Sequence, residues 1–156
     1  QVYSTLHTNS AVGAIPRLLD LGIVPDVLAG NIIGIVAQRL IRKVCMHCRK
    51  AAPANDFERK LLRQPVDADI TLYHARGCDQ CNHTGYRGRI SVMELLKMDA
   101  DMDELVARRA TRSELLALAL DKGFKPLSED GVRRVLEGVT TLDEVSRVID
   151  LTDRLV

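Results

Sequence analysis

The first residues of the chain change from a strand-like pattern to a helical one. Residues 1–6, Gln1-Val-Tyr-Ser-Thr-Leu6, form a β-like run and predict a strand that pairs with a sheet in a part of the protein outside this chain. Ser10 then stands as a helix cap before an apolar helical pattern that ends at Gly22. The apolar positions of that pattern are Val12, Ile15, Leu18 and Leu19. We expect a strand followed by a short amphipathic helix.

Pro25 predicts the start of a second helix, because proline is favoured in the first turn of a helix. Apolar side chains cover more than one face of this stretch, which is typical of an element buried against a sheet. The stretch continues into the basic residues 39–43, whose charges suit a helix C-terminus. We therefore expect one helix from Pro25 into this basic segment, and we assign no other chemistry to Arg39 and Arg42.

The middle of the chain predicts short elements. Residues 54–64 have the pattern of a short helix with Asn55 as a cap, and residues 70–73 have that of a strand. Residues 85–89, which contain two glycines, predict a loop. Residues 90–96 predict a strand that returns to the main sheet.

From Asp99 onward the pattern is helical throughout. Thr111-X-X-Glu114 and Thr141-X-X-Glu144 have the spacing of capping boxes, in which a hydroxyl and a carboxylate satisfy backbone N–H groups reciprocally. We expect four short helices over residues 101–108, 112–122, 129–137 and 142–148.

All four cysteines lie in two Cys-X-X-Cys pairs, Cys45/Cys48 and Cys78/Cys81. Two such turns supply four soft ligands that can lose their protons, which predicts a closed tetrahedral thiolate site with no open position for substrate. Zinc suits such a site best, and its role there would be structural. Because 29 residues separate the pairs, more than the roughly 15–20 of a zinc ribbon, we expect the pairs at the ends of a small inserted subdomain.

Other uses of the cysteines stay open. Four cysteines can form a disulfide framework, and one pair can form a thioredoxin-like redox site, although the second pair would then be unexplained. A stand-alone zinc-knuckle interaction module would also account for both pairs. His47 lies inside the first pair and His83 follows the second, so either could replace a cysteine as ligand. The metal site is favoured because it uses all four cysteines.

Charge and composition narrow the function classes. Lysine and arginine number 22 against 21 aspartates and glutamates, and the resulting net charge of +1 gives no nucleic-acid signal. Three tyrosines, two phenylalanines and no tryptophan argue against a base-stacking surface. The most apolar stretch, residues 27–37, is too short for a transmembrane segment, and no signal-peptide pattern is present. These features indicate a soluble protein of a reducing compartment.

Four stretches along the chain form a combined signature. They are Ser4-Thr-Leu-His-Thr-Asn9, Ala37-Gln-Arg-Leu-Ile-Arg42, the cysteine pairs with residues 77–89, and Asp130-Gly-Val-Arg-Arg-Val-Leu-Glu-Gly-Val-Thr-Thr141. Together they resemble, in the same order, the bacterial secretion ATPases that power type II secretion and type IV pilus assembly.

This resemblance implies an α/β fold, namely the C-terminal portion of a RecA-like P-loop ATPase domain. Residues 1–43 would be the remainder of the motor core, 44–84 a tetracysteine zinc-binding subdomain, 85–98 the return loop and strand, and 99–156 a C-terminal helical subdomain. The tetracysteine subdomain marks the assembly-type members of the family, and among them we favour the type II secretion motor slightly.

The resemblance also implies site residues and partners. His7 matches the family's histidine box near the terminal phosphate of the nucleotide, and Arg89 matches a position against the nucleotide base. Without the resemblance, His7 would be a locally bonded histidine and Arg89 part of a solvated turn. The parent protein would bind ATP and Mg²⁺ as a cytoplasmic homohexamer docked to inner-membrane platform proteins. It would need no transmembrane segment and no nucleic-acid partner.

The chain contains no Gly-X-X-X-X-Gly-Lys-Ser/Thr motif, and it opens on Gln1 rather than methionine. Phosphoryl transfer in this class needs such a phosphate cradle, together with acidic residues and arginines. The resemblance places all of these upstream of Gln1. We therefore expect a fragment that hydrolyses no ATP alone.

Overall fold

The structure is a computed structural model that describes residues 1–155 and has a mixed α/β fold. The helices are α1 (Ala11–Asp20), α2 (Pro25–Leu28), α3 (Asp56–Leu62), α4 (Ala100–Ala107), α5 (Arg112–Asp121), α6 (Leu127–Leu136) and α7 (Leu142–Val148). The strands are β1 (Gly34–Val44), β2 (Lys50–Pro53), β3 (Thr71–His74) and β4 (Tyr86–Lys97), and 3-10 turns cover Asp79–Cys81 and Thr152–Arg154. β1 pairs with β4, and β2 pairs antiparallel with β3, from Lys50 opposite His74 to Pro53 opposite Thr71.

The chain divides into two compact units. The first unit combines residues 1–38 and 93–127, and the second combines residues 39–92 with the residues from 128 onward. Each unit therefore joins segments that are distant in the sequence. The four consecutive ranges expected from the sequence stay a prediction.

The first unit is a small helical core. Ser10 caps α1, because its Oγ accepts a hydrogen bond of 3.0 Å from the backbone N–H of Gly13. α1 packs against α5, and α4 packs against both α2 and α5. The buried residues of this core are Ala11, Val12, Ile15, Leu28, Leu96, Met102, Val106, Leu115 and Ala119.

A buried carboxylate on β4 satisfies backbone donors of the same unit. Glu94 is 4% exposed, and its two oxygens accept hydrogen bonds from the backbone N–H groups of Ala11 at 2.5 Å and Leu127 at 2.7 Å. These two residues are the first of α1 and α6, where backbone N–H groups have no partner within the helix. Glu94 therefore removes the cost of burying unpaired donors.

The second unit contains the antiparallel β2/β3 pair, with α3 between the two strands in the sequence. Asn55 caps α3 with a complete capping box, because its Oδ1 accepts from the N–H of Glu58 at 2.9 Å and the Glu58 carboxylate accepts from the N–H of Asn55 at 2.8 Å. Arg154 is buried, donates through Nε to the carbonyl of Leu61 at 2.8 Å and pairs with Glu129. Fully buried apolar side chains of this unit include Ile41, Leu62, Leu72, Val92, Val135 and Val145.

Glu144 is the buried charge of α7. It accepts hydrogen bonds from the backbone N–H of Arg42 at 2.9 Å and from the Arg42 guanidinium at 2.9 and 2.6 Å. Arg147 donates to the same carboxylate at 3.1 and 2.9 Å. Burial alone would raise the pKa of Glu144, but the donors from Arg42 and Arg147 outweigh it and lower the pKa from 4.5 to about 2. The Arg42 guanidinium also lies 4.1 Å from the centre of the Tyr86 ring.

The strand predicted for residues 1–6 does not form within residues 1–155, and its pairing with a sheet outside this chain stays a prediction. Residues 1–8 form neither helix nor strand, and Val2 and Tyr3 are 90% and 85% exposed. No strand among residues 1–155 pairs with this run. A β-like sequence forms a strand only where a neighbour satisfies its backbone donors and acceptors.

The second predicted helix is wrong beyond its first turn. α2 ends at Leu28, Gly30 takes a positive φ of 77°, and residues Gly34–Val44 form β1 instead. Ile35 and Val36 begin this strand, and β-branched side chains favour a strand over a helix. The basic residues 39–43 therefore do not end a helix.

The loop predicted for residues 85–89 is also largely wrong, because β4 begins at Tyr86. Pairing with β1 supplies the backbone partners that let this glycine-containing segment continue as a strand. The strand predicted for residues 90–96 is confirmed as part of β4.

The short helix predicted for residues 54–64 is confirmed as α3, and the strand predicted for residues 70–73 is confirmed as β3, at Thr71–His74. The four predicted C-terminal helices are confirmed as α4 to α7. The capping box of Thr111 and Glu114 is confirmed as well. At Thr141 only half of the predicted box forms, because the hydroxyl accepts from the N–H of Glu144 at 3.1 Å while the carboxylate bonds to arginines instead.

The Glu144 contacts predict that stability falls in acid. The folded pKa of about 2 lies below the ordinary value of 4.5, so the carboxylate contributes stability above about pH 4.5 and loses it as the pH falls toward about 2. Glu144→Gln should therefore lower the free energy of unfolding by about 3 kcal/mol near neutral pH. This difference from the unmodified chain should shrink between about pH 5 and about pH 3.

Urea unfolding followed by circular dichroism at several pH values measures this difference. Asp143→Asn is the matched control, since Asp143 is an exposed carboxylate on the same helix, and it should change stability by less than about 0.5 kcal/mol. An effect of Glu144→Gln that is equal at both ends of the pH range would contradict the prediction.

Candidate functional site

Short turns bring the four cysteines together. Cys45 directly follows β1, and Cys48 precedes β2 by two residues. Cys78 caps the 3-10 turn Asp79–Cys81, and Cys81 is the last residue of that turn, which leads to β4. The two turns are joined by a backbone hydrogen bond of 2.9 Å from the N–H of Cys45 to the carbonyl of Gly85.

The four sulfur atoms form one compact cluster. The Sγ atoms of Cys45 and Cys78 lie 3.9 Å apart, as do those of Cys48 and Cys81, and those of Cys78 and Cys81 lie 3.8 Å apart. All four sulfurs lie within 4.8 Å of one another. These distances are too long for the sulfur–sulfur bond of about 2.05 Å in a disulfide. The arrangement can hold a metal ion between four thiolates.

Backbone N–H groups surround the sulfurs. Gly77 donates to the sulfur of Cys48, and Cys78 and Gly85 donate to that of Cys81, each at 3.2 Å. Burial alone would raise the pKa of the Cys81 thiol, but the donors lower it to about 6. Burial raises the pKa of the Cys78 thiol to about 11. Donors of this kind stabilise the thiolate form that binds metals.

Two glycines make these close approaches possible. Gly77 has a φ of 113°, and a Cβ there would lie 2.7 Å from the carbonyl oxygen of His83. Gly85 has a φ of 78°, and a Cβ there would lie 2.7 Å from the Cβ of Ala75. Any other residue would push the N–H donors away from the sulfurs.

The two histidines near the cysteines do not join the cluster of sulfurs. His83 is exposed, and its Nε2 lies 3.0 Å from an exposed carboxylate oxygen of Asp79. His47 is exposed as well. The structure thus gathers the four cysteines and leaves both histidines on the surface.

The structure places the two other predicted site residues in different units. His7 is exposed, precedes α1 by four residues and belongs to the first unit. Arg89 is exposed on β4 and belongs to the second unit. Neither side chain makes a hydrogen bond or ion pair with another residue within 1–155.

Sequence reasoning missed the contacts of Arg42. Its carboxylate partner, Glu144, lies 102 residues away, so no local motif connects them. The available signal was the run of β-branched residues before Arg42, which would have placed its side chain on a strand.

No helix within residues 1–155 combines the length and the apolar character needed to cross a membrane.

Sequence comparisons agree on one family. Residues 1–147 match the profile of the type II/IV secretion system protein family. The chain is 45% identical over 147 residues to the type II secretion system protein E of Pseudomonas aeruginosa, which covers 94% of this chain and 29% of that protein. It is 40% identical over 153 residues to the type IV pilus assembly ATPase TfpB of Acinetobacter baylyi, covering 97% of this chain and 26% of that protein.

A third relative is the type II secretion system ATPase E of Vibrio cholerae, which is 41% identical over 151 residues, 94% of this chain and 29% of that protein. The chain thus spans between a quarter and a third of the length of these relatives. The resemblance drawn from the sequence signature is confirmed by these matches. The chain belongs to the type II/IV secretion system protein family.

Proposed function

We propose that this chain is part of the motor of an ATPase for type II secretion or type IV pilus assembly. The supporting observation is that nearly the whole chain aligns with relatives named as secretion and pilus-assembly ATPases. We assign it to the C-terminal portion of a RecA-like P-loop ATPase domain with an inserted zinc-binding subdomain and a C-terminal helical subdomain. The longer protein would work as a cytoplasmic homohexamer at inner-membrane platform proteins.

Zinc is the ion that we propose for the four-cysteine cluster. A tetrahedron with zinc–sulfur bonds of about 2.3 Å has edges of about 3.8 Å. Three of the sulfur–sulfur distances are 3.8–3.9 Å, which supports this ion. Cys45, Cys48, Cys78 and Cys81 would be its ligands, and the ion would hold the two turns together structurally.

ATP with Mg²⁺ is the nucleotide that we propose for the longer protein. The exposed imidazole of His7 can donate a hydrogen bond to a terminal phosphate oxygen. The exposed guanidinium of Arg89 can stack on the base, which gives affinity with little base specificity. The phosphate cradle would come from the rest of the protein, because the chain has no Gly-X-X-X-X-Gly-Lys-Ser/Thr motif.

The purified chain should contain one zinc ion per molecule when it is prepared without chelator. Cys78→Ser should lower zinc affinity more than about a hundredfold, because even the loss of groups around metal ligands costs about 10- to 100-fold. His47→Ala and His83→Ala are matched controls that should keep one zinc. Elemental analysis together with a competition titration measures both quantities. A purified chain that contains no metal and has both cysteine pairs oxidised to disulfides would contradict the zinc proposal.

The isolated chain should release no phosphate from ATP, because it lacks the motif that holds the phosphates of the nucleotide. A phosphate-release assay on the chain and on the full-length motor, purified in the same way, checks this. Turnover that follows the chain through successive purification steps would show that the architecture is wrong.

In the full-length motor, His7→Ala and Arg89→Ala should impair different steps, namely ATP turnover and nucleotide binding. His7→Ala should lower kcat far more than nucleotide affinity, because a terminal-phosphate contact matters most as charge develops there. Arg89→Ala should weaken ATP and ADP alike by about five- to thirtyfold through the lost stacking. Steady-state kinetics and nucleotide titrations separate the two effects.

Arg76→Ala serves as the control for these variants, since Arg76 is an exposed arginine of the second unit. It should change neither kcat nor affinity. If His7→Ala and Arg89→Ala altered only the melting temperature, both nucleotide assignments would fail.

A further inference from the structure

A cavity in the second unit contains a concentration of cationic side chains. It has a volume of about 580 Å³ and is lined by parts of the first cysteine turn, the start of β4 and the turn between α6 and α7. Its cations are Lys43, Arg49 and Arg87. We call this cavity the basic pocket.

The positive charge of the basic pocket is not neutralised. None of Lys43, Arg49 and Arg87 forms an ion pair with a carboxylate within residues 1–155. Glu137 is the acidic residue of the lining, and its oxygens already accept from Arg133 at 3.1 Å and Arg134 at 3.3 Å. Most arginines elsewhere in the second unit have carboxylate partners; those pairs involve Arg42, Arg59, Arg133, Arg134, Arg147 and Arg154.

Arg49 is held in place before any ligand binds. Its guanidinium carbon lies 3.7 Å from the centre of the Tyr73 ring, and its Nη1 donates to the carbonyl of Gly138 at 2.8 Å. A Cβ on Gly138 would lie 2.7 Å from the Tyr73 ring, so this stacking requires glycine. The N–H groups at Nε and Nη2 of Arg49 remain available to donate to a ligand. Because the guanidinium is already held in position, binding a ligand costs little side-chain entropy.

The rest of the lining suits an organic ligand. Gly88 leaves room for Lys43, since a Cβ there would lie 3.2 Å from the Lys43 Cε. Val44, Met46 and Val139 add apolar surface to the same cavity. The volume falls within the range of about 300–1,000 Å³ that is typical of small-molecule sites and far exceeds that of one phosphate group.

We propose that the basic pocket binds a soluble, phosphorylated organic anion. Lys43, Arg49 and Arg87 would hold its phosphate, and the apolar residues would contact its carbon skeleton. A phosphate monoester carries nearly two negative charges and matches three cations better than a single carboxylate does. A concave cavity suits a free molecule rather than a flat lipid surface. The basic pocket includes neither His7 nor Arg89, so it is independent of the proposed nucleotide contacts.

Phenyl phosphate is a suitable probe because it combines one phosphate with one apolar ring. In a ¹⁵N NMR titration of the whole chain near physiological salt, the backbone signals of Gly88, Gly138 and Val139 should shift saturably. Benzoate, which has the same ring but one charge, should bind several-fold more weakly. Inorganic phosphate alone should also bind more weakly, because it leaves the apolar lining exposed.

Arg87→Gln is the deciding variant, because Arg87 is exposed and its side chain forms no hydrogen bond or ion pair within residues 1–155 whose loss would disturb the fold. It should lower the affinity for phenyl phosphate about tenfold. Arg76→Gln, which removes an exposed arginine of the same unit outside the pocket, should leave affinity unchanged. Arg49→Gln should lower affinity as well, with its folding checked by the unchanged signals of second-unit residues outside the basic pocket.

Three results would overturn the proposal. The first is the absence of saturable shifts at the pocket. The second is an equal loss of affinity in Arg87→Gln and Arg76→Gln, which would indicate general charge attraction. The third is a response of the pocket signals to phosphatidylglycerol vesicles but not to phenyl phosphate.

Discussion

The contact between Arg42 and the buried Glu144 carboxylate organises much of the second unit. It ties the end of β1 to α7, and Arg42 precedes Cys45 by three residues. Thr140 strengthens the same junction, because its hydroxyl donates to the Arg42 carbonyl at 2.8 Å. The position of the first cysteine turn therefore depends on a charge pair formed with a distant helix. Removing Arg42 would leave the buried Glu144 carboxylate with Arg147 as its remaining charged partner, which should be destabilising.

The sequence predicted the helices whose signals are local. Ser10, Asn55 and Thr111 each cap a helix through a side chain that bonds a backbone N–H three residues ahead. Such contacts need nothing from the rest of the fold. The spacing of the cysteines within each pair is likewise a local feature of the sequence, and the four-sulfur cluster could therefore be predicted from it.

The sequence predictions that differ from the structure have a common physical origin, because strand pairing depends on residues far apart in the chain. Residues 34–44 are apolar on more than one face, and this pattern fits a buried helix as well as a paired strand. The β-branched Ile35 and Val36 favour the strand, and pairing with β4 satisfies its backbone groups. Residues 1–6 have a strand-like pattern but no pairing partner within residues 1–155, so no strand forms there. The role of Arg42 was missed for the same reason, because its partner lies far along the chain.

The cysteine cluster also bears on the order of folding. Cys45 and Cys78 are 33 residues apart, whereas Arg42 and Glu144 are 102 apart. Because loop-closure entropy grows with the logarithm of loop length, closing the shorter loop costs about 1 kcal/mol less. The two cysteine turns can therefore meet while the C-terminal helices are still unattached. The β2/β3 pair that they enclose would then present Arg49 and Tyr73 as a preformed surface for Gly138, in the turn between α6 and α7.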